Sequence, residues 1–351
     1  MNLEKEHKLE HALAGLPRIP LAVKPTPLEA LPRLSRALGG PPLYIKRDDL
    51  TGLAFGGNKT RMLELSLADA LNKGADTIVT GAAVQSNYCR QMAAACAKLG
   101  LELHLLLRPE RPIDREEVQG NHFLQRLLGA RVTILPDNDR ARQQAAIAAE
   151  AKRLAGAGKK VYLPRQSETI DLDAIAYVEV ALEIARQCRE QNIQPAYLYV
   201  AAFDTTQAGL VLGLSYLESP IRVRGFNPLR DEPDNVRKMA QIANQAANRL
   251  DLDMVLQAED FENDDSFVGE RYGVPTPAGL EALRLVAQTE GILLDPVYTA
   301  KAVSGLAAHI REGRLPANVP VIFLHTGGAP ALFGYVKDVI SEEKSYFEQI
   351  A

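Results

Sequence analysis

A primary amine beside flexible backbone is the first feature that could do chemistry. In the stretch "FGGNKTRMLE" (55–64), Lys59 follows Gly56, Gly57 and Asn58 just before a helical pattern. Glycines let backbone approach a ligand closely, and an amine at such a junction becomes a nucleophile once it loses its proton. Two other stretches carry polar groups at comparable positions. In "TGAAVQSNYCRQ", Ser86 and Asn87 stand where a helix begins. Ser86 suits an N-cap, worth about 1 kcal/mol, and the N–H groups of a helix N-terminus also bind anions such as a carboxylate. In "FLHTGGAPALFGY", Thr326 and Gly327-Gly328 follow an apolar run, as a tight strand-to-helix turn would. His325 has no G-x-S-x-G elbow to accompany it, which argues against a hydrolase triad.

The elements that must position these residues follow from periodicity. The runs "LYIK", "TIVTG", "LELHLLL", "RVTIL", "KVYLP", "AYLYVAA", "IRVRGF" and "VPVIFLHTGG" read as strands. Helices are expected over 60–72, 86–99, 114–128, 139–157 and 171–191, and from about 206. Further helices are expected near 233–249, 277–290 and 299–312, with a last one at the end. The charged stretch "EDFENDDSF" (259–267) reads as a solvated loop. Strand and helix alternating throughout means parallel sheets covered on both faces. Ligands then collect at the carboxyl ends of strands, where all three polar stretches fall.

Composition excludes several classes. The chain has 351 residues, 46% hydrophobic and 24% charged, with a formal net charge of −4 and no basic run to track a phosphodiester backbone. No nucleic-acid partner is expected. No segment approaches the roughly 20 apolar residues of a membrane span, and the charged N-terminus lacks a signal-peptide core. A cytoplasmic protein is expected. Cys89, Cys96 and Cys188 lack metal-ligand spacing and cannot form a disulfide framework, and no metal is expected; Cys89 and Cys96, seven apart on one expected helix, read as small buried hydrophobes.

Five blocks in order carry a resemblance: "PTPLEALPRLSRALGG", "LYIKRDDLTGLAFGGNKTRMLE", "GADTIVTGAAVQSNYCRQMAAACAKLGL", "YGVPTPAGLEALRLVAQTEGILLDPVYTAKAVSGL" and "VIFLHTGGAPALFGY". From about residue 25 to 336 the chain resembles the D-cysteine desulfhydrase and 1-aminocyclopropane-1-carboxylate deaminase family. These are pyridoxal-phosphate enzymes of the tryptophan synthase β-subunit type. The resemblance implies a two-domain α/β fold of that type, with parallel sheets flanked by helices. Residues 1–60 and 175–351 would form the large cofactor-binding domain and 61–174 a small inserted α/β domain. Homologues of this kind are commonly homodimers. In the family the lysine of GGNK forms the Schiff base with the cofactor, which implies that role for Lys59. Asn87 would hydrogen-bond the ring hydroxyl, and Ser86 would hold the carboxylate of a small amino-acid substrate. The family's two active-site tyrosines map to Tyr272 and Tyr298. Asn58, Thr205, Thr206 and Thr326 are expected to contact the cofactor. Thr299 and Thr326 resemble the desulfhydrase branch; a hydroxyl from Thr299 near the pyridine nitrogen would suit β-elimination of a D-cysteine-like substrate. The alternatives are a cyclopropane-opening deaminase and a non-catalytic homologue binding another small ligand in the cleft.

The chain departs from the family at the phosphate. The family's glycine-rich G-S-x-G-T-x-A-G-L loop corresponds to residues 202–210, "AFDTTQAGL". The early glycines are gone, and Asp204 brings a carboxylate to a nest that should favour an anion. Met62 replaces an expected basic residue, and Tyr88 an expected histidine. Thr205, Thr206 and the following helix N-terminus are left to hold the phosphate, with Arg165 as a source of positive charge.

Overall fold

Each apolar run predicted as a strand forms one, and the intervening helices carry the chain back to start the next in the same direction. In the computed structural model, which describes residues 3–113, 118–230 and 234–340, the strands are β1 (Leu28–Ala30), β2 (Leu43–Lys46), β3 (Thr77–Thr80), β4 (Glu102–Leu107), β5 (Arg131–Ile134), β6 (Val161–Tyr162), β7 (Tyr197–Ala201), β8 (Arg222–Phe226), β9 (Glu262–Asp264) and β10 (Val321–Leu324). The helices are α1 (Leu3–Ala14), α2 (Pro32–Leu38), α3 (Asn58–Asn72), α4 (Asn87–Leu99), α5 (Gly120–Leu127), α6 (Arg140–Gly156), α7 (Ile170–Glu190), α8 (Thr205–Tyr216), α9 (Asn235–Arg249), α10 (Pro277–Glu290), α11 (Thr299–Arg311) and α12 (Val336–Ile340). One sheet has the order β1-β2-β10-β7-β8-β9 and the other β5-β4-β3-β6. Among the described residues only β1 with β2 pairs antiparallel.

Register decides where the site falls. Leu324 at the end of β10 pairs with Lys46 at the end of β2 and with Val200 of β7. The three strands therefore stop at one level. The loops that follow them, ending in Lys59, Thr326 and Thr206, emerge at the same sheet edge, as the strand-end rule requires.

The helix at the centre of the larger sheet's packing is α7, which is buried on nearly every face. It accepts α8 because α8 carries glycines where the two touch. A Cβ at Gly209 would lie 2.0 Å from the Ala174 carbonyl oxygen, and one at Gly213 would lie 2.6 Å from the Ala181 Cβ. The smaller sheet has its own core, in which Cys89 and Cys96 pack with Leu63, Ile78 and Leu105. All three cysteines are free and buried, which for Cys89 and Cys96 is what their spacing implied. Among the described residues no helix is long and apolar enough to cross a membrane.

Three segments differ from the sequence reading. Helix α1, which periodicity did not signal, buries Leu9 and Leu13 and places Glu6 against Arg186 and Arg189 of α7 at 2.7 and 2.8 Å. The stretch read as a solvated loop contains β9, paired parallel to β8 and anchored by buried Phe261. The helix expected from 114 is described only from Gly120; residues 114–117 and the end of the last expected helix lie outside the described residues.

Candidate active site

The turn before Lys59 can be made only with glycine. Gly56 has φ 62°, and a Cβ there would lie 2.1 Å from the Asp49 carbonyl oxygen; Gly57 has φ 120°. The Gly57 N–H donates to Thr51 Oγ at 2.8 Å, and the Asn58 N–H to the Thr326 carbonyl at 3.0 Å. Asn58 Nδ2 donates to Thr206 Oγ at 3.2 Å. One residue thus ties together the loops after β2, β10 and β7. Two residues past the lysine, Arg61 is fully buried between Asp48 and Glu183, 3.0 Å from each. Tyr177 of α7 donates to the other Asp48 oxygen at 2.7 Å. Burial alone would raise the Asp48 carboxyl, but Arg61 and Lys46 hold it below its ordinary range. This network fixes the base of α3, and with it Lys59, against β2 and α7.

Lys59 opens onto a cavity of about 380 Å³. Asn58, Ser86, Asn87 and Thr206 line it from helix N-termini, and Tyr272, Tyr298 and Thr326 line it from loops. Burial lowers the Lys59 ammonium below its ordinary value, with Asp204 acting in the opposite sense. An amine in this state gives up its proton more readily than one in water. Ser86 is an N-cap in fact, its Oγ accepting from the Cys89 N–H at 3.2 Å. Asn87 Oδ1 accepts from Asn121 Nδ2 at 2.8 Å, which fixes the side-chain orientation. The hydroxyls of Tyr272 and Tyr298 share a short hydrogen bond, and their rings meet edge to face with centroids 5.7 Å apart. Burial raises both phenols above their ordinary value, so each keeps its proton near neutral pH.

Two expected contacts fall elsewhere. Thr205 does not line the cavity; its N–H and hydroxyl turn to Asp204 Oδ1 at 2.6 and 3.3 Å. Thr299, expected beside the ring nitrogen, donates its hydroxyl to Asp295 Oδ1 at 2.8 Å within the N-terminal cap of α11. Asp295 also accepts from the Val297, Tyr298 and Thr299 N–H groups at 2.9 Å. The threonine therefore completes a helix cap that orients Tyr298.

At the start of α8, Asp204 is the N-cap, and its second oxygen forms a short ion pair with Arg165. Arg165 Nε also stands 3.2 Å from Asp173 Oδ2. Burial would raise Asp204, but Arg165 and Lys59 hold it at about 2. Asp173 lies deeper, and burial pushes it up to about 6. Sequence reasoning missed Asp173; its only signal was a carboxylate inside the apolar α7 pattern.

Comparison with known proteins shows the family. Residues 19–327 match the family described as pyridoxal-phosphate dependent enzymes. The chain belongs to that family. It is 42% identical to a D-cysteine desulfhydrase of Serratia proteamaculans over 93% of this chain and 98% of the relative. A D-cysteine desulfhydrase of Salmonella newport is 41% identical over the same shares. Among solved structures, a crystal structure of an ACC deaminase homologue superposes with a TM-score of 0.86 at 36% identity, covering 95% of this chain and 98% of that one. The fold is accordingly the α/β fold of the tryptophan synthase β-subunit type, and the chain is a pyridoxal-phosphate-dependent lyase.

The residues present fit the cofactor's reactive end. A desolvated amine, an oriented asparagine at a helix N-terminus and a phenol pair line one cavity. At the phosphate end the positive charge is there in Arg165, already engaged by Asp204.

Proposed function

We propose that the protein catalyses β-elimination from a small D-amino acid of the cysteine type. With D-cysteine, one water is consumed and pyruvate, ammonia and hydrogen sulfide are released. The observation that carries the reading is Lys59, a half-buried amine lowered in pKa and facing the cavity that also holds the N-terminus of α4. When bound, pyridoxal phosphate supplies an aldehyde for the substrate amine and a conjugated ring that delocalises charge from Cα. Lys59 holds the cofactor in the resting enzyme and, once freed by substrate, takes the Cα proton on Nζ. Ser86 and the α4 N-terminus hold the substrate carboxylate, and Asn87 holds the ring hydroxyl. Asn58, Thr206 and Thr326 support the cofactor from the three loops they join. Tyr272 and Tyr298, both protonated, orient the substrate and donate a proton to the departing sulfur.

Pyruvate release from D-cysteine by purified enzyme tests this reading, with 2-oxobutyrate release from 1-aminocyclopropane-1-carboxylate as the comparison. Faster turnover of D-cysteine, abolished by Lys59→Ala, is the expected result. Preference for the cyclopropane would move the protein to the deaminase branch, which the similarity to the ACC deaminase homologue favours.

We further propose that residues 61–174 form a small domain and residues 1–60 with 175–351 a large one. All of β3 to β6 falls within the first range, whereas the six-stranded sheet draws strands from both flanks. A homodimer is supported by exposed Phe123 and Leu127 on α5 and Phe333 on the adjoining turn Ala329–Gly334. Light scattering at a dimer mass, lost in Phe123→Glu/Leu127→Glu, is the expected outcome. A cytoplasmic location suits three buried, unpaired cysteines.

A further inference from the structure

The corner of the cavity at the start of α8 is charged and already closed on itself. Asp204 Oδ1 takes the Thr205 N–H at 2.6 Å, so the helix N-terminus is capped by an anion supplied by the chain. Its other oxygen takes Arg165. Arg165 Nε faces Asp173 Oδ2 at 3.2 Å, too poorly aligned for a hydrogen bond, and that buried oxygen has no hydrogen-bond partner among the described residues. Two cations, Lys59 and Arg165, therefore meet two carboxyl groups, Asp204 and Asp173. Arg165 also lies over the Tyr88 ring, 5.7 Å from its centroid. A phosphate entering this corner needs a helix N-terminus and a cation, and Asp204 holds both.

We infer that Asp204 is a built-in stand-in for the cofactor's phosphate, and that the phosphate binds by taking Arg165 from it. The inference rests on the reading that Lys59 holds the cofactor. The aldehyde end of the ligand is then bound by Lys59, on which Asp204 acts only through its charge, while the phosphate end competes with a tethered carboxylate. The cost of that competition falls on phosphate-bearing ligands alone. Arg165 and Asp204 together thus set how strongly the chain distinguishes pyridoxal phosphate from pyridoxal.

The test is an absorbance titration of the full-length protein with pyridoxal phosphate and with pyridoxal, for wild type, Asp204→Asn and Arg165→Gln. Asparagine caps helices as well as aspartate, so Asp204→Asn removes the charge and keeps the cap; Asp204→Ser serves as a second capping variant if the first misfolds. Neutralising Asp204 should tighten pyridoxal phosphate relative to pyridoxal by roughly tenfold or more, the scale of one charge-assisted hydrogen bond; any effect of the lost charge on Lys59 is shared by both aldehydes and cancels in the ratio. Arg165→Gln should bring the two affinities together. An unchanged ratio of pyridoxal phosphate to pyridoxal affinity in both Asp204 variants would overturn the inference, as would an unchanged ratio in Arg165→Gln. If neither aldehyde produces a band in wild type, the reading of Lys59 fails instead. Calorimetry with inorganic phosphate then decides the exchange separately: tighter binding by Asp204→Asn than by wild type supports it, and equal binding contradicts it.

Discussion

Glu110 follows β4 and packs under the turn that carries Tyr272. Its backbone oxygen accepts from Arg271, and a Cβ at Gly273 would lie 3.0 Å from the Glu110 Cβ. The carboxyl is buried, its Oε1 has no hydrogen-bond partner among the described residues, and burial pushes its pKa up to about 7. A carboxyl raised in the folded state binds its proton more tightly there than in the unfolded chain. Its contribution is complete below about pH 4.5 and is lost as the pH rises through 7. Glu110→Gln should therefore stabilise the protein at pH 8 by on the order of 1–3 kcal/mol and bring no such gain at pH 4.5, as measured by urea unfolding. The phenols nearby allow a kinetic prediction. Tyr298→Phe keeps the ring but removes the shared proton, so kcat for D-cysteine should fall by about a hundredfold or more, with a much smaller change in KM. A raised KM with kcat unchanged would place the hydroxyl in uniform binding instead. Much of the site was legible at this scale because Lys59, Ser86-Asn87 and Thr326 each lie in the connection that leaves the carboxyl end of an apolar strand. The phenol pair was legible only through the family resemblance, since no local pattern separates a cavity tyrosine from a packing one. Sequence alone offered Arg165 as a cation near residues 202–210, but its pairing with Asp204, 39 positions away, needed the fold.

Helix α8 delivers Thr206 and Asp204 to the cavity, and it does so through its close fit on α7. Alanine at Gly209 would put a Cβ 2.0 Å from the Ala174 carbonyl oxygen, against backbone that cannot rotate away. The two helices must then separate, at a cost of typically 1–3 kcal/mol for an overpacked contact. Gly209→Ala should lower the urea midpoint and weaken pyridoxal phosphate binding together, because the Asn58–Thr206 hydrogen bond spans the helix that moves. Loss of stability with unchanged cofactor affinity would show that α8 positions nothing at the site. The parallel elements were legible because each apolar strand is bounded by a periodic helix. Helix α1 and strand β9 were not. The first owes its place to Glu6 meeting Arg186 and Arg189, and the second to one buried phenylalanine and an open sheet edge. Both are tertiary causes, invisible to local periodicity.

Across the whole molecule, the two ends of the α3 base are held by buried charge. Arg61 joins Asp48 and Glu183, and Lys46 also pairs with Glu183. Burial opposes ionisation of Glu183, yet Arg61 and Lys46 keep its carboxyl below the ordinary 4.5. Here the sign is opposite to that of Glu110. The folded state binds fewer protons, so the stabilisation is complete above about pH 4.5 and disappears as the pH falls below it. Stability should drop steeply below pH 4.5 in wild type. Arg61→Met, which leaves two carboxylates facing each other, should cost about 3–5 kcal/mol at pH 7 and much less in acid. The same network fixes which amine can reach the cofactor. Lys46 is fully buried in it, and Lys301, lowered to about 8, is buried against the Val268 carbonyl at 2.6 Å. Only Lys59 of these three lines the cavity. Borohydride reduction of the protein loaded with pyridoxal phosphate, followed by peptide mapping, tests that placement most directly. The pyridoxyl group is predicted on Lys59, in the peptide containing "GGNK"; a label on Lys46 or Lys301, or equal labelling of the Lys59→Ala variant, would contradict the account.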